Sequence, residues 1–450
     1  MNLAEPATPD TSQALFAPGR RAACLGAVAL ISMLAFESIA VATAMPAVAE
    51  ALQGLPYYAL AFGATLATSV LGMTAAGQLC DKRGPYRAAL AGLAAFLAGL
   101  LLAGFATSMP ALVLGRALQG LGSGVLGVTL YVGAGRVVPA ALHPKMFAMF
   151  AGAWVVPGLV GPALASLLTQ TLGWRSVFLT VAAAVPVAAA LMLPALRRVG
   201  TGTGETLQWG AMRWAVLASA GALSLHAASQ QTGFTAGALF LAGLAAAGAA
   251  AMRLLPAGTL RAVRGLPTVI LLRGLIAATF ASAEAFLPLL LTGHFGWSLT
   301  QAGFALSAGA VTWSIGSAVQ ARVQRPAARR RLLPGGFMLT VAGLALVVAP
   351  LVFSGPAGLV FAGWALVGLG IGLSFPVLSV LLLRLSPPAS QGSNTSALQL
   401  SDALTSSAAL AGAGLLFDPA TRQVLPVLLM AMALAAAAAL ISPRAEPAAR

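Results

Sequence analysis

Apolar runs of about twenty residues recur along the chain, separated by short stretches that carry arginine, glycine and proline. A run of this length, folded as an α-helix, matches the hydrocarbon thickness of a bilayer. Two sets of six runs flank two further runs, so the pattern predicts an all-α integral membrane protein of about 14 transmembrane helices, with a central two-helix hairpin between two six-helix bundles. The predicted helices span 22–46, 57–79, 88–107, 110–135, 146–170, 174–196, 213–232, 234–255, 267–293, 299–322, 336–353, 357–385, 397–417 and 421–441.

Composition supports this class, because 59% of the 450 residues are hydrophobic and only 8% are charged. That balance excludes a soluble enzyme, because an ordinary soluble domain carries roughly a quarter charged residues. The net charge of +15 is unevenly placed. With a cytoplasmic amino terminus, only Arg175 and Arg422 fall in outer loops. We therefore expect a multi-pass plasma (inner) membrane protein with both termini cytoplasmic, whose basic loops face anionic inner-leaflet headgroups and bind no nucleic acid.

The fourth predicted helices of the two bundles share an internal repeat. GRALQGLGSG at 115–124 matches GWALVGLGIG at 363–372. Because both segments lie in the fourth helix of their bundle, duplication is favoured over chance similarity between helices rich in glycine, alanine and leucine. Duplicated halves are typical of secondary transporters, whose substrate path lies between the halves. The predicted divisions are a cytoplasmic tail (1–21), an N-terminal bundle (22–196), linkers with the hairpin (197–266), a C-terminal bundle (267–441) and a cytoplasmic tail (442–450).

Three carboxylates, Glu37, Glu284 and Asp402, fall well inside predicted helices. Because an ionised carboxylate in hydrocarbon is costly, each is expected to face the bundle interior or a wet cavity and to bind a proton. The structural alternatives are a helix-end interaction for Glu37, a local hydrogen bond for Glu284 and partial hydration for Asp402. Arg116 is interpreted as the only base deep in a span. It either tunes the proton affinity of a nearby carboxylate or forms a static ion pair.

Two glutamines are predicted to line the substrate cavity: Gln119, about one turn from Arg116, and Gln399.

The sequence contains no arrangement of residues that is typical of an enzyme. The three histidines lack metal-ligand spacing, and no phosphate-cradling loop is present, so the energy source is an ion gradient or the substrate's own gradient. No metal or other cofactor is predicted. The histidines are His143, His226 and His294.

Residues 77–87, GQLCDKRGPYR, connect the second and third predicted helices and resemble the signature loop of the major facilitator superfamily. A short loop with glycine at its turns lets the Asp81 carboxylate reach a neighbouring helix end or an arginine, which makes a breakable cytoplasmic gate. Pro85 and Tyr86 replace basic residues that the family usually shows. The equivalent position in the second half is Gln320, so no second latch is expected there. The matching residues are Gly77, Leu79, Asp81, Lys82, Gly84 and Arg87.

Other segments resemble the same superfamily. Residues 116–122 are similar to its fourth-helix motif, whose arginine is implicated in proton coupling. Residues 37–46 resemble the first-helix motif of the fourteen-helix drug:proton antiporter branch, with Glu37 for the usual aspartate and Ala42 for the usual asparagine. In the fifth helix a glycine and two prolines resemble the antiporter motif, where they serve either as a hinge or for packing alone. These hinge candidates are Pro157, Gly161 and Pro162.

The motifs predict a monomeric secondary transporter that exports a small lipophilic or cationic compound by alternating access, with H+ as the coupling ion. One alternative is a proton symporter or facilitator that imports a metabolite, because the fold hosts both directions. Another is a non-transporting membrane scaffold or lipid-handling protein. Glu37, Asp81 and Arg116 count against the scaffold, since idle charges in lipid only destabilise.

Overall fold

The computed structural model describes residues 16–446 except 18–19, 140–141, 143–145, 147–148, 151, 201–208, 229, 232, 324–325 and 388–390. This part of the chain contains thirteen α-helices, and eleven helical segments in it are long and apolar enough to cross a membrane. The predicted all-helical class is confirmed. The helices are α1 Arg21–Ala51, α2 Tyr58–Gly104, α3 Met109–Val137, α4 Val155–Leu172, α5 Arg175–Arg198, α6 Trp209–Ala228, α7 Gly233–Leu254, α8 Leu266–Gly293, α9 Leu299–Arg322, α10 Pro326–Phe353, α11 Gly358–Leu385, α12 Gln391–Leu416 and α13 Leu425–Ile441.

Helix α2 continues through the segment predicted to be a loop. The backbone leaves the helical region only at Gly84, where φ is 80° and ψ is 162°, a conformation that a residue with a Cβ rarely adopts. Thr65 and Phe96 lie on opposite sides of this break, and both pack against α3, at Gly120 and Gly122. The arms 58–83 and 85–104 therefore lie beside the same stretch of α3, and the second and third predicted helices are two arms of one element.

Several predicted boundaries were wrong by between one and three turns. Helix α1 continues past Pro46 to Ala51, because a proline removes one backbone hydrogen bond without ending a helix that neighbours support. Helix α4 begins at Val155, after a turn at Ala153 and Trp154, while Met146, Met149, Phe150 and Gly152 before that turn are also helical. The basic run 329–331 lies inside α10, and α12 starts six residues before the predicted position.

The helices pack as two sets, here called the N-half (α1–α5) and the C-half (α8–α13). Following the chain, the first residue of α1 and the Gly84 break lie at one end of the bundle, named the Gly84 end. The first residue of α2 lies at the other, the Tyr58 end. The halves meet along α2 with α12, α4 with α9, and α1 with α8 and α9.

The internal repeat is visible in how the two fourth-position helices pack. A Cβ at Gly120 would overlap the Thr65 carbonyl of α2, and one at Gly368 would overlap the Gly309 carbonyl of α9. Gly122 and Gly370 likewise meet the third-position helices, at the backbone of residues 92–96 and at Gly336. Close backbone approach at equivalent positions supports the predicted duplication. It also explains the glycine spacing, since association in lipid depends on tight packing.

The central hairpin, α6 and α7, lies against both halves. The Ser219 hydroxyl donates to the Ala67 carbonyl of α2 at 2.7 Å, and the Gln230 amide donates to the Pro56 carbonyl at 2.7 Å. The buried His226 ring packs against Gly63, close to where the Ser407 hydroxyl of α12 donates to the Gly63 carbonyl at 3.4 Å. Helix α6 therefore covers the α2–α12 seam, which the sequence did not indicate.

We predict that Gly122→Ala lowers the melting temperature of the purified protein in detergent, because the new Cβ would overlap the backbone near Phe96. Overpacking of this kind costs about 1–3 kcal/mol. Gly127→Ala on the same helix is the matched control, since a Cβ there meets nothing within 4 Å. Equal melting temperatures for the two variants would contradict the close α2–α3 contact.

Candidate functional site

Glu37 and Arg116 form an ion pair inside the N-half. A guanidinium Nη1 of Arg116 on α3 donates to Oε1 of Glu37 on α1. The two side chains are only 6% and 4% exposed. A buried pair of this kind exists only if each charge meets the other, since neither is compensated by water. The pair therefore ties α1 to α3.

The Arg116 side chain is bound on more than one side. Its Nε donates to the Ala61 carbonyl of α2 at 3.2 Å, and Nη1 also donates to Gln119 Oε1 at 2.5 Å. Thr65 donates from its hydroxyl to the Arg116 carbonyl at 3.1 Å. Within the described part of the chain the buried Gln119 Nε2 has no acceptor. Arg116 thus links α1, α2 and α3. A change in the charge of Glu37 alters the hydrogen bonds where these helices meet, at a place where Gln119 Nε2 already lacks an acceptor among the described residues.

A second ion pair lies in the C-half. Arg273 Nε on α8 donates to Asp402 Oδ2 on α12 at 3.0 Å, and Nη1 donates to Ser379 Oγ on α11 at 2.9 Å. The guanidinium carbon lies 3.2 Å from the centroid of the Phe375 ring. Arg273 and Asp402 are 12% and 24% exposed in their side chains, more than the first pair. Tyr131 of the N-half lies within electrostatic range of Arg273 and is 42% exposed.

Arg273 corrects the interpretation of Arg116 as the only base deep in a span. It lies within the predicted helix 267–293, about two turns from its start, so its position was available from the sequence. Its partner Asp402 is 129 residues away, so the spacing of nearby residues does not predict the pair. The signal that could have found it is the rule that an isolated carboxylate in a span needs a cation on a neighbouring helix.

The other predicted residues do not all converge. No ion pair or hydrogen bond joins Glu284 of α8 to Glu37 or Asp402 within the described residues. Gln399 lies three residues before Asp402 on α12, so both occupy one face of that helix. The carboxylates therefore occupy separate places, and Asp402 has Arg273 as its partner instead of Arg116.

The signature segment has the predicted turn at Gly84, while Asp81 and Lys82 are exposed beside it. Among the described residues Asp81 forms no salt bridge, so the latch stays a prediction. Gly77 and Arg87 lie on the two arms of α2, with Arg87 exposed.

The hinge candidates Pro157, Gly161 and Pro162 are buried in α4, at the seam of the two halves. A Cβ at Gly161 would lie 3.5 Å from Phe36 and Ile39 of α1. On the opposite side the Pro162 carbonyl approaches Gly303 of α9. These residues are thus placed where a bend of α4 would change the contact between the halves.

Side-chain hydrogen bonds between the halves cluster toward the Tyr58 end. The Tyr58 hydroxyl donates to the Ala285 carbonyl at 2.8 Å, and Gln170 donates to the Thr300 hydroxyl at 2.7 Å. The Tyr58 ring packs within 6.5 Å, centroid to centroid, of three phenylalanine rings from both halves. The halves are therefore joined at this end. The phenylalanines are Phe62, Phe286 and Phe417.

The family model of the Major Facilitator Superfamily matches residues 25–411 of the chain. The chain belongs to this superfamily. It is a membrane transporter of small molecules and not an enzyme, which confirms the predicted class.

A probable multidrug-efflux transporter of Mycobacterium tuberculosis is 29% identical over 372 residues, covering 79% of this chain and 78% of the relative. Multidrug resistance protein 3 of Bacillus subtilis is 32% identical over 154 residues, 34% of this chain and 30% of that protein. Among solved structures, the POT family transporter PepTSo superposes with a TM-score of 0.70 at 16% identity, covering 94% and 97% of the two chains. A D-xylose-proton symporter gives 0.66 at 14% identity, covering 95% and 98%. The structural likeness establishes the fold.

We predict that Glu37→Leu destabilises the protein by about 3–5 kcal/mol, because it leaves the Arg116 charge buried without its counter-ion. The double variant Glu37→Leu/Arg116→Leu is expected to regain part of this loss, which thermal unfolding in detergent measures. Glu50→Leu, at the exposed end of α1, serves as the control. Additive effects of the two substitutions would mean that the pair does not hold α1 to α3.

Proposed function

We propose that this protein exports a small lipophilic or cationic compound from the cell in exchange for protons. The observation that carries the proposal is the buried Glu37–Arg116 pair with Gln119 at its side. The names of the relatives, which denote multidrug efflux and multidrug resistance, support export of such compounds. A carboxylate without access to water is a suitable proton carrier, because protonation removes its charge.

In the proposed cycle the protonation of Glu37 weakens its attraction to Arg116 and frees α1 from α3. Helix α1 also contacts α4, α8 and α9, so its displacement reaches the seam between the halves. Glu284 and Asp402 are the further carboxylates of the proposed proton network. Proton binding and the opening of one end are thereby linked, as alternating access requires.

The proposed topology has 14 membrane crossings. The arms of α2 on either side of Gly84 each provide one crossing, as do α6 and α12. The even number places both termini on one side, and the arginine asymmetry assigns that side to the cytoplasm of a plasma (inner) membrane. The Gly84 end is then cytoplasmic, its basic residues face anionic headgroups, and the joined Tyr58 end is external. With this topology, we propose that the structure is an inward-facing form.

One chain contains both halves of the transport path, so the proposed functional unit is a monomer. No resident cofactor is needed, and H+ is the proposed coupling ion. The Asp81 carboxylate is proposed to latch the cytoplasmic end in the outward-facing form, with Lys82, Gly84 and Arg87 shaping the turn that carries it.

For the coupling step, we expect Glu37→Gln to abolish proton flux driven by a lipophilic cation gradient in sealed liposomes, because the variant cannot exchange a proton at that carboxyl. A pH-sensitive dye inside the liposomes reports the flux. Glu50→Gln on the exposed end of α1 is the matched control and should behave as the wild type. Unchanged coupling in Glu37→Gln would refute the assignment. Proton flux with the substrate, in the same direction, would favour an importer.

For the gate, Asp81→Asn is expected to slow transport by about tenfold, since a latch contributes about 1–3 kcal/mol of coupling. Substrate affinity in detergent should change little. Arg83→Gln, two residues away and also exposed, controls for a general effect of altering this turn. Full turnover in Asp81→Asn, measured in the same liposomes, would remove the latch from the mechanism.

A further inference from the structure

In the C-half ion pair the guanidinium of Arg273 has its partners, whereas one acceptor of Asp402 has no donor within the described part of the chain. Arg273 is satisfied by Asp402, by Ser379 and by the face of Phe375. Asp402 has one oxygen, Oδ1, that is buried and has no hydrogen-bond donor among the described residues. An unmatched buried acceptor costs free energy that a positive group could recover. The pair can therefore accommodate a further hydrogen-bond donor or a positive group beside Asp402.

The same pair lies at the edge of an aromatic surface within the C-half. Phe375 of α11 contacts Trp313 of α9 at a centroid distance of 5.3 Å, and Phe280 of α8 contacts Trp313 at 5.2 Å and Trp364 at 5.5 Å. Phe280, Trp313 and Phe375 are only partly buried. We call these four residues the aromatic wall. Aromatic faces attract organic cations in addition to excluding water.

Arg273 and Phe280 lie seven residues apart on α8, two turns along one face. The charged pair and the aromatic wall therefore share one side of that helix. Arg273 also lies within electrostatic range of Tyr131 in the N-half, so this side of α8 faces the opposite half of the transporter. With 12% and 24% of their side chains exposed, Arg273 and Asp402 are reachable, in contrast to the Glu37–Arg116 pair.

We infer that Asp402 and the aromatic wall form a subsite for a lipophilic organic cation, and that Arg273 is a built-in competitor that occupies Asp402 when no substrate is bound. The cationic group of the substrate replaces Arg273 beside Asp402, while its apolar body packs against Phe280, Trp313 and Phe375. Arg273 then determines selectivity, because only ligands that compensate the carboxylate can displace it. This inference rests on the proposed export function and names the recognition step.

The competitor role predicts opposite effects for the two members of the pair. Asp402→Asn should weaken binding of tetraphenylphosphonium at least tenfold, because the attracting charge is gone. Arg273→Gln should strengthen it several-fold, because the competitor is gone. Triphenylphosphine oxide, a neutral relative of this probe, should bind the wild type and both variants within a factor of two to three. Quenching of tryptophan fluorescence, to which Trp313 contributes, measures binding in detergent without any gradient.

Two further proteins keep the result interpretable. The double variant Arg273→Gln/Asp402→Asn has no unpaired charge, so it reports the probe affinity of the wall alone if a single variant unfolds. Asp418→Asn, an exposed carboxylate in the loop after α12, is the control and should bind as the wild type.

Three outcomes would overturn the inference. The first is unchanged cation affinity in Asp402→Asn. The second is weaker cation binding in Arg273→Gln, which would make the pair a static support. The third is tighter binding of an anion such as tetraphenylborate to Asp402→Asn and weaker binding of it to Arg273→Gln, which would show that the subsite prefers anions. If binding follows the expected pattern while liposomes show no proton exchange, the export mechanism fails and cation recognition remains.

Discussion

Charges inside this bundle must be neutralised by other groups of the protein, and this constraint is strongest at the Glu37–Arg116 pair, which is the more buried of the two ion pairs. Hydrocarbon gives an ion no solvation, so a lone guanidinium at this depth is not sustainable. Arg116 meets its needs from α1, from the α2 backbone and from Gln119 on its own helix. The N-half is consequently assembled around Arg116, whose partner Glu37 can lose its charge. The packing of the N-half and the protonation of Glu37 are therefore linked.

The repeat shows how one packing scheme serves two chemically different halves. Gly120 and Gly368 make the same backbone approach in their own halves. The position of Arg116 in the first half is Trp364 in the second, where it extends an aromatic surface. Helix geometry is thus conserved between the halves by small residues, while the polar residues have diverged. In the two ion pairs, the first-position helix contributes the acid in the N-half and the base, Arg273, in the C-half.

Much of the fold could be predicted because a membrane span is recognised from apolar length alone. The bounds of α3, α8 and α9 were predicted within two residues. The segment at Gly84 was harder, because exposed charged residues indicate a loop although they are also compatible with helix. Glu37 and Arg116 were each singled out as charges in apolar runs, but their pairing with one another was not predicted. Arg273 with Asp402, and α6 over the seam, depend on contacts across more than a hundred residues, which no local pattern encodes.

The depths of the two ion pairs decide how substrate and proton can influence one another in the proposed cycle. Arg273 lies about 10 Å along α8 from the Gly84 end, whereas Glu37 lies about 24 Å along α1 from that end. A compound that enters from the cytoplasm meets the C-half pair before it approaches the N-half pair. Direct competition for one carboxylate is therefore unnecessary. Because α1 contacts α8 and α9, the two sites communicate through the seam, and antiport follows from the movement of helices that both sites bias.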